Sequence, residues 1–268
     1  MANRSFMTTF SKLQQSESLL RMPGATLVTR LKVYDTPAPD AQRGGTPHVH
    51  LMCSELYFVL AGSGSVEMID WDGFSEVELK PHSALVFSPG TLHRLINPNR
   101  DLELLITMQN SGLPERGDNV VTFAEDILAD DERYTGAMRV NSFEEAYARR
   151  DKGVEGFLKL KAAFEEGLEP GRKALGRFFE LATERTQSLR SNWQNVIERG
   201  ALQEAQTSLS RLEALEQGEL DYLQQAQQHL ITADAYKTPG FCGALNRYFD
   251  PATLEIENLE LEGIKETT

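Results

Sequence analysis

Cysteine is scarce in this sequence. Its 268 residues include two cysteines, Cys53 and Cys242, which lie far apart and form no CxxC pair. This spacing excludes a disulfide scaffold and favours reduced thiols, so we expect a cytoplasmic protein. Cys53 is expected to be a small buried hydrophobic residue.

Long apolar runs are also missing. No stretch of about eighteen apolar residues occurs, which predicts that no helix spans a membrane. The segment Met1–Phe6 has one arginine and no apolar run behind it, so it is not typical of a secretory signal.

Positive charge is in short supply. The chain has 40 acidic and 27 basic residues, which gives a formal net charge of −13. Such a surface repels phosphate backbones and anionic lipid headgroups, so nucleic acids and membranes are not expected as partners. The hydrophobic and charged fractions, 40% and 25%, are ordinary for a soluble globular protein of one large or two small domains.

Short β-type segments dominate the first part of the chain. They are rich in β-branched and aromatic residues and are separated by turn signals such as Gly62–Gly64 and Asp70–Gly73. These segments are 26–34, 55–60, 65–69, 74–79, 84–87 and 102–108. Many short strands with frequent turns predict an all-β sandwich or barrel over residues 20–112.

The apolar period changes to three or four residues after about residue 120, which predicts helices. Segment 113–170 is predicted to connect the two parts through short helices, one of them capped at Asn141–Ser142. Segment 171–236 is predicted to form an antiparallel helical hairpin that turns at Gly200. The tail, 237–268, alternates weakly over Leu254–Ile264 and is compatible with one further strand. The expected fold class is therefore mainly β plus α.

The second helix of the predicted hairpin carries one apolar stripe. It comprises Leu202, Ala205, Leu209, Leu212, Leu223, Ala226 and Leu230. An isolated hairpin buries too little apolar surface to be stable alone, so the stripe is expected to dock on the barrel or on a second subunit. A homodimer would supply that surface. A lid over the barrel mouth is the functional alternative.

Four ligand-type side chains stand out in the β-rich part. His48 and His50 are two residues apart, so they project from the same face of a strand. Glu55 lies five residues after His50, and this odd spacing would put it on the opposite face of an unbroken strand. It must therefore lie past a turn, on the next strand, to join them. His93 follows a turn at Pro89–Gly90 and begins another strand.

Three imidazoles and one carboxylate suit one divalent transition metal, such as Fe, Mn, Zn or Ni. Calcium and magnesium prefer more oxygen ligands. Four protein ligands on a six-coordinate ion leave about two positions for substrate, water or dioxygen, which indicates a reactive site rather than a closed structural one.

Other polar and aromatic residues are weaker candidates. Tyr57 is two residues from Glu55, shares its face, and is predicted to line a substrate pocket. His82 is expected to be a turn residue rather than a fifth ligand, and His229 to lie near the end of a helix. Arg30 and Arg94 are expected at the surface, with pairing to an anionic substrate as the alternative.

At these residues the sequence resembles the cupin superfamily. The first cupin motif, G-x5-H-x-H-x3,4-E-x6-G, is matched by His48, His50, Glu55 and Gly62. Gln42 stands where its first glycine belongs. The resemblance covers roughly residues 20–112 and implies a jelly-roll-like β-barrel.

The second cupin motif, G-x5-P-x-G-x2-H-x3-N, is matched by Gly90, His93 and Asn97. It departs from the pattern at His82, which replaces the opening glycine, and at Pro89, which is displaced by one residue. Both departures fall at turns and leave the ligand residues in place. The resemblance implies that the four ligand-type residues hold one metal ion.

The open coordination sphere favours an enzyme that acts on a small molecule. The leading expectation is an oxidoreductase of the dioxygenase type with iron as its metal. Glu55 is then both a ligand and the candidate catalytic base. Two alternatives stay open: a metal-dependent isomerase or epimerase of a sugar or keto acid, and a non-catalytic ligand sensor. Proteins similar to this one include dioxygenases, decarboxylases and sugar isomerases, so the fold does not choose among them.

Overall fold

The computed structural model describes residues 21–228, 230–233 and 238–248. In this part of the chain, eleven strands form two antiparallel sheets. The strands are β1 (Leu27–Val33), β2 (His48–His50), β3 (Glu55–Ala61), β4 (Gly64–Asp70), β5 (Gly73–Leu79), β6 (Ala84–Phe87), β7 (Leu92–Ile96), β8 (Glu103–Met108), β9 (Asn119–Val121), β10 (Thr238–Pro239) and β11 (Gly243–Tyr248). The six-stranded sheet has the order β10-β11-β1-β8-β3-β6, and the five-stranded sheet has the order β5-β4-β7-β2-β9.

The two sheets enclose the first hydrophobic core. Alternate residues of the strands point inward, because successive side chains of a strand lie on opposite faces. The fully buried aliphatic residues of this core include Leu31, Val59, Val66, Leu95 and Leu104. A barrel-like sandwich with helices after it confirms the predicted fold class, mainly β plus α.

Seven α-helices follow within the described residues. They are α1 (Glu125–Leu128), α2 (Asp131–Met138), α3 (Phe143–Glu166), α4 (Leu168–Arg185), α5 (Arg190–Ile197), α6 (Gln203–Gln217) and α7 (Asp221–Gln224). Helix α3 begins where the sequence predicts a cap, since the Ser142 hydroxyl accepts a hydrogen bond from the Glu145 amide at 3.2 Å. None of the described helices has the length and apolarity needed to cross a membrane.

Helices α3 and α4 cover the outer face of the five-stranded sheet and create a second core. Its buried members include Val49, Val121, Phe157, Leu175 and Phe178. Helix α3 approaches β9 so closely that a Cβ atom on Gly156 would lie 1.9 Å from the Thr122 carbonyl oxygen. Glycine is therefore required at this contact.

The packed helix pair differs from the predicted hairpin. Helices α3 and α4 pack against each other and are joined at Gly167. At Gly200, a turn of π-helix links α5 to α6 instead. The predicted stripe on α6 is exposed, with Leu209 at 67% and Leu212 at 53%. Periodicity predicts an amphipathic face but does not identify the surface that covers it.

Strands also occur beyond residue 112. Strand β9 pairs with β2, and β11 pairs with β1 along six residue pairs. Strand β9 was not predicted, because it is only three residues long and is held by pairing with a distant strand. Strand β11 lies in the tail 237–268, where one strand was expected, but before the alternating stretch on which that expectation rested. The weakly alternating stretch 254–264 and His229 lie outside the described residues.

The surface location predicted for Arg94 is wrong. Its side chain is fully buried, and its guanidinium contacts Asp40 through two hydrogen bonds of 2.6 and 3.1 Å. Glu67, its cross-strand neighbour, lies 3.5 Å away and also contacts Lys161 of α3 at 3.1 Å. A buried guanidinium requires such partners, and the network links the five-stranded sheet to the helical layer.

Replacing Asp40 by asparagine should destabilise the protein. Although partial burial raises the carboxyl pKa, the Arg94 guanidinium lowers it by hydrogen bonding and charge, so that the net pKa is below its usual value. The stabilisation is therefore present at neutral pH and is lost as the pH falls below about 4. We expect Asp40→Asn to lower the free energy of unfolding at pH 7 by about 1–3 kcal/mol, measured by urea denaturation.

The exposed Asp35 of the same loop supplies the control variant, Asp35→Asn. The deficit of Asp40→Asn relative to wild type should shrink as the pH is lowered from 7 to 3. An Asp40→Asn variant as stable as Asp35→Asn at pH 7 would contradict this account.

The homodimer stays a prediction, and the exposed stripe of α6 is its expected interface. Light scattering should then give twice the chain mass of 30.0 kDa. The double variant Leu209→Lys, Leu212→Lys should be monomeric, because two buried lysines at a symmetric interface are costly to desolvate. A monomeric wild type, or a double variant that stays dimeric, would rule out this interface.

Candidate metal centre

The four predicted ligand residues converge at one point. Strand β2 carries His48 and His50, and its antiparallel pairing with β7 places His48 directly opposite His93. Glu55 begins β3 in the other sheet and completes the group from across the barrel. One ligand-type atom from each of the four residues lies within 4.8 Å of all the others, and all four side chains are buried. The centre therefore draws on both sheets.

Hydrogen bonds orient each imidazole. His48 Nδ1 lies 2.9 Å from the Thr46 carbonyl oxygen, and His93 Nδ1 lies 3.0 Å from the Thr91 carbonyl oxygen. Because a carbonyl only accepts, each Nδ1 carries the proton and each Nε2 keeps a lone pair. This tautomer is the one that presents Nε2 as a metal ligand.

Asp118 orients the third imidazole and was not predicted from the sequence. Its carboxylate lies 3.1 Å from His50 Nδ1. The same carboxylate accepts hydrogen bonds from the amides of Met52 and Cys53, at 2.6 and 3.2 Å. Asp118 immediately precedes β9, whose pairing with β2 brings it beside His50. The signal was an acidic residue before a short Val-Val run, which is too weak to identify alone.

The buried environment shifts the pKa values of the cluster in different directions. Burial and the neighbouring histidines lower the pKa of His48, and burial and His50 lower the pKa of His93 to about 3. Burial alone would lower the pKa of His50, but Asp118 and Glu55 raise it above its usual value. Burial raises the pKa of Glu55 to about 7. Two neutral imidazoles and two nearby acids thus favour a cation at this point.

The cluster contains acceptor atoms that lack a donor among the described residues. Glu55 Oε2 and His93 Nε2 are both buried, have no hydrogen-bond partner, and lie 3.3 Å apart. Two buried acceptors that face each other are unfavourable unless a proton or a metal cation lies between them. Since the donor set is three nitrogens and one oxygen, the residues fit one divalent transition metal.

A cavity of about 340 Å³ opens onto the cluster. His48, His50 and Glu55 form part of its wall. The rest of the wall is apolar at Leu27, Leu31, Ile106, Met108 and Leu245, and it also includes the charged residues Glu115, Arg149 and Arg247. This volume is at the lower end of the roughly 300–1,000 Å³ typical of small-molecule sites. A small ligand can therefore reach the ligating atoms.

The segment between β10 and β11 forms another part of the cavity wall. Phe241, between β10 and β11, stacks on His48 with ring centroids 5.0 Å apart, and its carbonyl accepts a hydrogen bond from the Thr46 amide at 2.9 Å. Cys242 packs against Gly45, where an added Cβ would lie 2.7 Å from the Cys242 Cα atom. Sequence reasoning missed this wall because its residues carry no ligand-type pattern.

Tyr57 shares the face of Glu55, as its spacing predicts, but the structure places it in the barrel core and not in the cavity wall. Its ring packs edge-on against Phe87, with centroids 5.1 Å apart. His82 is exposed in a turn with a left-handed backbone (φ 69°) and is not part of the cluster. Cys53 is buried, as predicted.

No protein-family model matches the chain, and no curated protein matches it. Solved structures that match include a cupin protein from Bacteroides fragilis, with 19% identity over 32% of this chain and 65% of that chain and a TM-score of 0.24. The DMSP lyase DddQ from Ruegeria pomeroyi is 22% identical over 32% of this chain and 38% of that chain, with a TM-score of 0.25.

A TDP-fucose-3,4-ketoisomerase from Campylobacter jejuni is 15% identical over 35% of this chain and 64% of that chain, with a TM-score of 0.29. The chain thus spans less than two thirds of each of these three proteins.

Replacing Asp118 by asparagine should weaken metal binding without removing a ligand. The amide cannot supply the negative charge that keeps His50 oriented and basic, so we expect about 10–100-fold lower metal affinity. Competition with a chromophoric chelator measures the affinity for Zn²⁺.

Asp101→Asn is the matched control, since the Asp101 carboxylate also accepts a backbone amide, from Ser63 at 3.2 Å, but does not belong to the metal cluster. Equal affinities for the Asp118 and Asp101 variants would show that Asp118 has no role in the centre.

Proposed function

We propose that this protein is a metal-dependent enzyme that converts a small molecule bound in the cavity, with dioxygenase-type oxidation as its leading reaction. One observation carries the proposal: the buried, unpartnered acceptors of Glu55 and His93 lie in a cluster of four ligand-type residues at the wall of a small-molecule cavity. A closed structural site would not adjoin such a cavity.

The residues of the chain have separable tasks in this proposal. His48, His50, Glu55 and His93 would hold the metal, which supplies Lewis acidity and, if it is iron, electron transfer to dioxygen. The carbonyl oxygens of Thr46 and Thr91 keep two imidazoles in the ligating tautomer.

Glu55 is also the proposed proton carrier. Burial raises the pKa of its carboxyl to about 7 when no cation is bound, whereas a bound metal would lower it. Glu55 would therefore act as a base only when Oε2 leaves the metal. The apolar part of the wall would lower the effective dielectric constant around the bound molecule, which strengthens the electrostatic interactions there.

We also propose that the protein works in the cytoplasm. Its two cysteines, Cys53 and Cys242, are both buried and neither forms a disulfide. Free thiols are typical of a reducing compartment.

Oxygen consumption tests the proposed reaction. Protein that carries one Fe(II) per chain should consume dioxygen with a catechol, a flavonol or a small thiol, as measured with an oxygen electrode. Glu55→Gln should lower both the bound iron and the rate at least tenfold, because it removes the anionic ligand. His82→Asn is the control: it removes an exposed histidine and keeps a residue that tolerates a positive φ.

Product analysis without dioxygen and ligand-binding measurements separate the alternatives. Turnover of a sugar or keto acid by the Zn- or Ni-loaded protein without dioxygen would replace the oxygenase proposal with an isomerase. Tight ligand binding without product, with every metal, would replace it with a ligand sensor. Wild-type protein that retains none of these metals would contradict the metal centre itself.

A further inference from the structure

A buried arginine lines the cavity that adjoins the metal cluster. Arg149 lies on α3, is 6% exposed, and forms part of the cavity wall together with His48 and Glu55. Its Nη2 donates a hydrogen bond to the Gly240 carbonyl oxygen at 2.5 Å, while its Nε has no hydrogen-bond partner. A guanidinium has five N–H donors, so Arg149 retains unused donor capacity inside the protein.

Arg149 differs from the other buried arginines in its electrostatic partners. Arg94 contacts Asp40 and Glu67, and Arg150 contacts Asp151 at 2.8 Å. Among the residues that the structure describes, no carboxylate forms an ion pair with Arg149. Burial correspondingly lowers the pKa of its guanidinium. An isolated buried cation is costly, which points to an anion that arrives from outside the described chain.

The position of Arg149 connects this cation to the metal cluster. Its guanidinium carbon lies 4.2 Å from the centroid of the Phe241 ring, and that ring stacks on His48. The charge of Arg149 is also close enough to help lower the pKa of His48, after burial and the neighbouring histidines. One small molecule in the cavity could therefore contact both the guanidinium and the metal cluster.

We propose that Arg149 is the specificity-determining residue of this site and binds the carboxylate group of a small, otherwise largely apolar substrate. The planar guanidinium matches a carboxylate through paired hydrogen bonds, and the aliphatic wall with Phe241 suits an apolar body. The cavity of about 340 Å³ limits the substrate to a small molecule. This inference rests on the proposed function, since it names the substrate class of the same site.

Calorimetric titration with matched carboxylates and amides tests the proposal. The probes are acetate, butyrate, hexanoate and benzoate, each compared with its uncharged amide, on the purified metal-loaded protein. At least one acid should bind wild type about tenfold or more tightly than its amide, because only the acid pairs with the buried cation. Arg149→Gln should abolish this preference, and Arg149→Lys should restore part of it.

Arg177→Gln is the control, since Arg177 is exposed on α4 and its replacement changes the net charge equally. If Arg149→Gln does not fold, the wild-type preference and its reduction in Arg149→Lys carry the test. A wild type with no preference for any acid over its amide would overturn the proposal. A preference that survives Arg149→Gln but disappears when the metal is removed would also overturn it, because the metal then binds the anion.

Metal content distinguishes this failure from failure of the proposed function. Arg149→Gln should retain the wild-type amount of metal, since Arg149 is not part of the ligand cluster. Wild type that takes up none of the metals but still prefers acids would support the role of Arg149 while contradicting the metal centre. Metal-loaded wild type without a preference for acids would support the metal centre while contradicting the role of Arg149.

Discussion

The structure depends on one antiparallel pairing, in which β2 lies against β7 and His48 faces His93. Strand β2 is three residues long, and its two histidines point to one side because they are two positions apart. Its neighbours β7 and β9 hold it in place, so that three imidazoles reach the same point as Glu55 from the opposite sheet. A shift of β7 by one residue would turn His93 to the other face and remove it from the cluster.

A second requirement is that the buried polar groups are oriented before any metal binds. The imidazoles of His48 and His93 donate hydrogen bonds to the carbonyl oxygens of Thr46 and Thr91, each two residues earlier in the chain. The third imidazole, that of His50, contacts the Asp118 carboxylate instead. Asp118 is in turn held by the amides of Met52 and Cys53. The rotamers at the centre are thus fixed by backbone groups, which lowers the conformational entropy lost on metal binding.

Parts of the chain outside the predicted barrel contribute to the cavity wall. Helix α3 packs on the five-stranded sheet through Gly156 and brings Arg149 to the cavity, while the strand pair β10–β11 brings Phe241 and Cys242. This part of the cavity wall therefore comes from segments that follow the β-rich part of the chain, whereas Leu27, Leu31, Ile106 and Met108 of the same wall belong to that part.

The sequence by itself determined the β-rich first part, the capped start of α3 at Ser142, and the four ligand-type residues. These features depend on local periodicity, turn chemistry and side-chain type, all of which can be recognised within short segments of the sequence. Only the tertiary structure decided the burial of Arg94, the exposure of the α6 stripe, the role of Asp118 and the cavity wall at Arg149 and Phe241. Each of these depends on which distant segment packs nearby, and short-range patterns do not carry that information.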